Sequence, residues 1–362
     1  MPAAANTTRV RLRDPSSLVA AVPHLLGFTP ADSLVAVGLR QPRSQVCLTV
    51  RVDLAVAAEP SVASHVVGQL RRAGAEEVVF VLFGTSEAPP TADEGTRRGD
   101  PPLPYRTVVD AVGTACRVRS LVVRDLLWTE HGRWWSYVCA DVSCCPAEGT
   151  PVDPRTVDHL AAELAVSGRA ALPDRKALEA SVAPQLPLGA AAALLGFEEA
   201  VMPVFDDADT AMAADDQESF LASAEDAVRA AVERCAPGGG PPLPSDECAR
   251  VTGLLTFPSL LASALQWLDG DRHDAAEGLW LQLTRAAPPP WGVVPATLLG
   301  LYAYARGDGA LARVCADRAL ADRPGDALAC AVHEMLDRGI PPEEVGSIAV
   351  VLARHVAGPA CA

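Results

Sequence analysis

Residues 33–54 have the sequence SLVAVGLRQPRSQVCLTVRVDL, and this stretch decides the fold class. Its first part, residues 33–39, is almost continuously apolar, which is typical of a strand covered on both faces of a sheet. In residues 46–54, apolar and polar side chains alternate with the period of two that indicates a strand with one solvent-facing side. The short polar link at residues 40–44 predicts that the two strands form an antiparallel hairpin.

Strand and helix patterns on both sides of this hairpin indicate an α/β layer fold. Helices are predicted at residues 16–26, 60–73 and 105–117. Candidate strands outside the hairpin lie at residues 10–12, 77–84, 119–128 and 133–140. We therefore expect an N-terminal domain over residues 1–150 in which about six strands form a mixed sheet flanked by three helices.

Beyond residue 150 the strand patterns stop, and the rest of the chain is predicted to be helical. Residues 151–235 are predicted to form an acidic helical connector, because 13 acidic residues and two arginines between positions 193 and 249 give a local charge of −11. Residues 236–243, APGGGPPL, predict a linker, since glycine increases backbone freedom and proline ends helices. A second domain is then expected over residues 244–362.

This predicted C-terminal domain contains an internal repeat. The segment WLDGDRHDAAEGLWLQL, which begins at Trp267, aligns at an offset of 37 residues with YARGDGALARVCADRAL, which begins at Tyr304. A period in this range is typical of helical hairpin repeats, and the second copy resembles a tetratricopeptide repeat at Gly307, Ala312 and Ala319. We therefore predict a short tetratricopeptide-like helical region that binds a protein partner.

Composition excludes several classes of function. The chain has 30 basic and 45 acidic residues, and its net charge of −15 argues against a nucleic-acid partner. No segment reaches the roughly 18 uninterrupted apolar residues that a membrane-spanning helix requires, and the N-terminus lacks a signal-peptide pattern. We expect a cytoplasmic protein with no membrane association.

The loop between the first helix and the hairpin holds one candidate site. His24, Asp32 and Ser33 are the residue types of a catalytic triad, but no GxSxG motif surrounds the serine. Asp32 and Ser33 can also bond the backbone of a turn, and His24 can interact with the end of a helix. Aromatic residues that could contact a ligand lie nearby or in the last predicted strand. The candidates for ligand or partner binding are His24, Phe28, Asp32, Ser33, Trp134 and Trp135.

A cysteine cluster is the second candidate site. Cys139, Cys144 and Cys145 lie within SYVCADVSCCP, and His131 is the nearest possible fourth ligand across a predicted hairpin. Zinc sites commonly use four ligands, often from paired CxxC motifs, which this chain lacks. Metal binding, redox-active thiols and structural thiols all stay open. We expect no cofactor, with zinc as the alternative.

Two stretches resemble a known family. They are LRDPSSLVAAVPHLLGFTPADSLVAVGL at residues 12–39 and GRWWSYVCADVSCCPAEGTP at residues 132–151. The sequence resembles an uncharacterised actinobacterial family, domain of unknown function 4192, over most of its length. The resemblance implies an actinobacterial source but no activity, cofactor or catalytic residue.

We therefore base the prediction of function on the predicted domain architecture. We expect a non-enzymatic interaction or scaffold protein, with an α/β binding domain and a helical partner-binding domain. The alternative is a small-ligand-binding protein, or a metal- or thiol-dependent enzyme, with a site near residues 27–33 and 139–145.

Overall fold

The chain forms two compact units. The computed structural model describes residues 14–42, 44–85, 103–141, 143–166, 170–186, 189–236 and 238–356. Backbone contacts group Met1–Ala177 with Asp337–Pro341 in the first unit, which we call the α/β unit. The second, which we call the helical unit, contains Leu178–Leu336 and Pro342–Ala362. The two units divide between Ala177 and Leu178, rather than at residue 150 or at residues 236–243.

A six-stranded mixed sheet is the centre of the α/β unit, as predicted. Its strands are β1 (Ser33–Arg40), β2 (Gln45–Asp53), β3 (Glu77–Phe83), β4 (Val122–Glu130), β5 (Arg133–Ser136) and β6 (Thr150–Pro151). Their order in the sheet is β2-β1-β3-β4-β5-β6, and β3 and β4 form the parallel pair. The other neighbouring strands are antiparallel, including the predicted β1–β2 hairpin.

One predicted strand, at residues 10–12, lies outside the described residues. The sixth strand of the described sheet is the two-residue β6, which pairs with β5 and was not predicted. A segment of two residues shows no alternation of apolar and polar side chains, so periodicity cannot identify it.

Local sequence signals explain the helices of the α/β unit. These helices are α1 (Pro15–Leu26), α2 (Leu54–Ala57), α3 (Pro60–Arg72), α4 (Arg106–Val118) and α5 (Pro154–Val166), and α6 (Arg175–Ser181) crosses the division between the units. At the start of α1, the Asp14 side chain accepts a hydrogen bond from Ser17 N, and Pro15 occupies the first turn. The helix ends at Gly27, whose φ of 75° is left-handed.

Two tryptophans that are adjacent in β5 point to opposite faces of the sheet. Trp135 belongs to the core formed by the sheet with α3 and α4. Trp134 points to the opposite face, where its indole nitrogen donates a hydrogen bond to Ser16 Oγ of α1 at 2.8 Å. Neighbouring residues of a strand alternate in direction, so both rings are covered although they are adjacent in sequence.

Besides the end of α6, nine α-helices of the described residues lie wholly or almost wholly in the helical unit. They are α7 (Ala190–Ala213), α8 (Gln217–Arg234), α9 (Ser245–Leu254), α10 (Pro258–Gln266), α11 (His273–Ala286), α12 (Val293–Ala305), α13 (Gly309–Asp322), α14 (Ala327–Arg338) and α15 (Pro342–Val356). In the described residues, no single helix combines the length and apolar character required to cross a membrane; only α9 and α10, taken together across a 99° bend, meet that test by length and composition.

The glycine- and proline-rich run at residues 236–243 lies inside the helical unit. It joins α8 to α9, and these two helices contact each other. At its end Leu243 is buried, and the Leu243 carbonyl accepts a hydrogen bond from Gln282 Nε2 at 2.8 Å. The predicted acidic connector, residues 151–235, contributes α5 to the α/β unit and α7 and α8 to the helical unit.

The sequence repeat superposes α11 on α13. Helix α12 packs against both of them, and Gly300 permits its close approach to α13, because an added Cβ would lie 3.2 Å from Cys315 Cβ. The first copy would require α10 to pair with α11, but α10 packs mainly on α15. The helices therefore do not stack as consecutive hairpins, and the tetratricopeptide-like prediction is not confirmed beyond a helical region.

Candidate functional site

A cleft of about 360 Å³ lies at one edge of the sheet in the α/β unit. Residues 30–32, 83–85 and 129–132 line it. Since β3 and β4 are parallel, their carboxyl-terminal ends meet at this edge, which is where open α/β sheets commonly bind ligands. Strand β1 runs antiparallel to β3, so the loop before Ser33 enters the sheet at the same edge.

The loop before β1 is held by hydrogen bonds. Asp32 has a left-handed φ of 44°, a conformation that aspartate and asparagine adopt more readily than most residues, and its carbonyl accepts from Leu54 N at 2.9 Å. Ser33 is fully buried; its hydroxyl donates to the Ala31 carbonyl at 2.6 Å and accepts from Arg51 Nε at 2.7 Å. These bonds fix the backbone at Asp32, which lines the cleft.

The opposite wall is the turn between β4 and β5. His131 and Gly132 have left-handed φ angles of 48° and 72°, the pattern of the two-residue turn that suits a β-hairpin. The Glu130 side chain, at the end of β4, is only 10% exposed, whereas the His131 side chain is 83% exposed. Glu130 Oε2 lies 3.8 Å from His131 Nδ1. The wall therefore presents a largely buried carboxylate beside an exposed imidazole.

Tyr105 packs beside the cleft, and nearby carboxylates affect the pKa of its hydroxyl. The phenol hydroxyl donates to the Thr85 carbonyl at 2.7 Å. Burial raises the pKa of Tyr105, and the negative charges of Asp32 and Glu130 raise it further. The two carboxylates thus both act on the Tyr105 hydroxyl.

Gly84 lines the cleft and also contacts aromatic side chains behind it. Its carbonyl accepts a hydrogen bond from Trp128 Nε1 at 3.1 Å. An added Cβ at Gly84 would come within 2.5 Å of the Tyr105 hydroxyl oxygen, so a larger residue at this position would displace the tyrosine. The β3 end of the cleft is therefore held by two aromatic side chains.

A thiol cluster lies in the loop after β5. The sulfur atoms of Cys139, Cys144 and Cys145 all lie within 4.8 Å of one another. Ser136 Oγ accepts hydrogen bonds from the backbone nitrogens of Val138 and Cys139, both at 3.1 Å. These bonds fix the chain where it leaves β5.

A tight turn places the other two cysteines. The Asp141 carbonyl accepts from Cys144 N at 3.1 Å and from Cys145 N at 2.7 Å. Burial raises the pKa of Cys145 to about 12, with further contributions from its hydrogen bonds to Cys139 and Cys144 and from their charges. Hydrogen bonds from Ser143 lower the pKa of the Asp141 carboxyl. Without a cation, the Cys145 thiol therefore holds its proton at neutral pH.

The structure brings together two of the predicted site residues in the cleft, Asp32 and His131. His131 was predicted as a fourth ligand for the thiols, but among the described residues it does not belong to their group. His24 is half-buried in the last turn of α1 and does not line the cleft. The cleft and the thiol cluster share no residue.

The predicted aromatic candidates lie elsewhere. Phe28 is 3% exposed and forms a β-bridge with Leu172. Trp134 and Trp135 are buried, and Trp135 Nε1 donates to the Ala147 carbonyl at 2.9 Å. None of these three residues lines the cleft.

Sequence reasoning missed Thr85, Glu130 and Tyr105. Thr85 lies two residues beyond the end of β3, and Glu130 is the last residue of β4. Polar residues at strand ends were the available signal, but their use required knowing that β3 and β4 are adjacent and parallel.

Comparison with known protein families identifies a family that matches most of the chain. A family model described as Domain of unknown function (DUF4192) matches residues 15–343. The chain belongs to the DUF4192 family. The DUF4192 match includes the strands of the described sheet, the cleft and the thiol cluster. No curated protein and no solved structure matches the chain.

Proposed function

We propose that the α/β unit binds a small, positively charged amine in the cleft. The observation that carries this proposal is the pair of carboxylates, Asp32 and Glu130, in a cleft whose described lining residues include no arginine or lysine. The volume of about 360 Å³ is at the small end of the range for ligand pockets, roughly 300–1,000 Å³.

The chemistry of the lining supports an amine over an anion. An ammonium group forms charge-assisted hydrogen bonds with carboxylates, and these bonds are stronger where water is partly excluded, as it is at Glu130. Pro30 and Phe83 supply apolar contact for the carbon skeleton of the ligand. An anion would instead meet two like charges.

The arrangement supports binding more strongly than catalysis. The Ser33 hydroxyl is buried and donates to the Ala31 carbonyl, so it is not placed to attack a substrate. The wider role as a non-enzymatic interaction protein stays a prediction. For the helical unit, a protein partner also stays a prediction, and the exposed apolar side chains Leu195 and Met202 of α7 are the surface that favours it.

Calorimetry with size-matched amines and acids tests the proposal. The probes are ethanolamine, putrescine and agmatine, with glycolate and succinate as the acidic counterparts. We expect saturable binding of at least one amine and none of the acids. Asp32→Asn and Glu130→Gln keep side-chain shape but remove charge, and each is expected to weaken amine binding by about tenfold or more, which corresponds to roughly 1.4 kcal/mol.

The matched control is Asp110→Asn. Asp110 is an exposed carboxylate on α4 that does not line the cleft, so its replacement should leave amine affinity unchanged. Asparagine tolerates the left-handed backbone at position 32, which keeps Asp32→Asn folded. Absence of saturable amine binding, or equal weakening by Asp110→Asn, would contradict the proposal.

A further inference from the structure

We propose that Cys139, Cys144 and Cys145 bind a thiophilic metal ion, with zinc as the expected ion. The site is distinct from the cleft and does not depend on the proposed amine binding. Soft thiolate ligands select ions such as Zn²⁺ over the oxygen-preferring Mg²⁺ and Ca²⁺.

The spacing of the sulfurs is close to that of a zinc site. A Zn–S bond of about 2.3 Å in tetrahedral geometry puts sulfur atoms about 3.8 Å apart. The three sulfurs already lie within 4.8 Å of one another. Each pair therefore has to approach by no more than about 1 Å, which side-chain rotation can supply.

Burial separates these cysteines from the three that are fully buried, although Cys47 and Cys235 are also half-buried and Cys330 is also exposed. Cys116, Cys248 and Cys315 are buried, as is typical of cysteines that pack as small apolar side chains. Cys144 is exposed, and Cys139 and Cys145 are only half-buried. Core packing accounts for the first group but not for the second.

The loop that carries the three thiols is held at both ends. After β5, the Ser136 hydroxyl donates to Asp125 Oδ1 at 2.8 Å while accepting from the Cys139 backbone. Before β6, Gly149 has a φ of 76°, and an added Cβ there would overlap the ring of Trp135. A site whose ligands are positioned by the surrounding structure loses less entropy on binding.

Three thiolates leave one coordination position for an exchangeable ligand. Asp141 is the nearest carboxylate in the turn, but its Oδ1 accepts hydrogen bonds from both Ser143 N and Ser143 Oγ. Among the described residues, the cluster contains no fourth protein ligand. Zinc sites with three protein ligands keep water or another small ligand in the fourth position.

Metal titration of the full chain tests this site. The reduced protein, prepared without chelator, is titrated with Zn²⁺ against a chromophoric competitor, and separately with Co²⁺. We expect one ion per chain and, for cobalt, the intense visible bands and thiolate charge-transfer absorption of a tetrahedral site. Cys145→Ser and Cys144→Ser should each weaken zinc binding by about a hundredfold or more, since changes in outer-shell partners alone cost roughly 10–100-fold.

Cys330→Ser is the matched control, because Cys330 is an exposed cysteine on α14 outside the cluster. It should retain one zinc per chain and the cobalt spectrum. If Cys145→Ser loses helical signal in circular dichroism, zinc binding by Cys144→Ser tests the proposal instead. The Cys144 side chain is exposed, so its replacement should leave the fold unchanged. The proposal is overturned if the wild-type chain binds no stoichiometric metal, if a folded cluster variant binds zinc with unchanged affinity, or if mass spectrometry of the zinc-treated chain finds a disulfide within the cluster.

Discussion

Trp128 in the α/β unit and Trp280 in the helical unit are both fully buried, yet they use their indole nitrogens differently. Trp128 Nε1 donates to the Gly84 carbonyl, and its ring stacks on Trp135 with centroids 4.3 Å apart. Trp280 meets Tyr302 edge-on at 6.0 Å, and its Nε1 has no hydrogen-bond partner among the described residues. One tryptophan positions the backbone of the cleft, whereas the other fills volume.

Other polar side chains of the two units also differ in what they contact. In the α/β unit, carboxylates and thiols converge at two sites. In the helical unit, the Tyr302 hydroxyl bonds the Ala264 carbonyl at 2.6 Å, and Arg285 Nε bonds the Ser181 carbonyl at 2.6 Å. These side chains satisfy backbone groups, which stabilises the packing of helices. The two binding sites that we propose both lie in the α/β unit, although His273, Asp274 and Glu277 also bring possible ligand atoms together in the helical unit.

Alanine variants of the two tryptophans should have the largest effect. Trp128→Ala and Trp280→Ala are each expected to lower the free energy of unfolding by about 3–5 kcal/mol, because each leaves a large cavity. Urea unfolding followed by circular dichroism measures this loss. Under folding conditions, only Trp128→Ala should also abolish amine binding in the cleft. Loss of amine binding in folded Trp280→Ala would break the contrast between the units.

Phenylalanine variants separate the hydrogen bond from the volume. Trp128→Phe leaves the Gly84 carbonyl without its indole donor, whereas Trp280→Phe removes a donor that has no partner. We expect Trp128→Phe to cost about 1–3 kcal/mol more than Trp280→Phe. The same urea experiment measures the difference, and equal costs would show that the Trp128 bond contributes nothing.

Helix caps provide the smallest test, with one example in each unit. Asp14 Oδ1 accepts from Ser17 N at 2.8 Å, and Asp308 Oδ1 accepts from Leu311 N at 3.0 Å. Asp14→Ala and Asp308→Ala should each cost about 1 kcal/mol. Hydrogen exchange should accelerate in the first turn of α1 for one variant and of α13 for the other. Asparagine at either position keeps the cap and should restore protection.

The sequence predicted those parts of the fold that local patterns determine. The β1–β2 hairpin follows from its alternation and its short polar link, and α1 follows from Asp14 and Gly27. The helical character of residues 151–235 was predicted, but the bounds of α7 were not, because its long apolar and alanine-rich sequence contains Pro203 and lies in a stretch characterised by its acidity. The α10–α15 packing was also missed, since the repeat compares neighbouring segments and says nothing about distant ones.

The same distinction applies to the candidate site. Asp32 was identified because it lies in a turn with a recognisable composition. Glu130 was not, because its proximity to Asp32 depends on the order β1-β3-β4, which no local pattern encodes. The three cysteines were identified as a cluster because they are close in sequence, but His131 was assigned to them although it belongs to the cleft.

The stacked rings of Trp128 and Trp135 are a shared support for both sites. The first ring holds the Gly84 carbonyl at the floor of the cleft, and the second bonds the Ala147 carbonyl in the loop that carries the thiols. The cleft and the thiol loop are thus both supported by one pair of stacked indole rings in the core of the sheet. A replacement of either ring would therefore remove a hydrogen bond beside one site and the stacking partner of the ring that supports the other site.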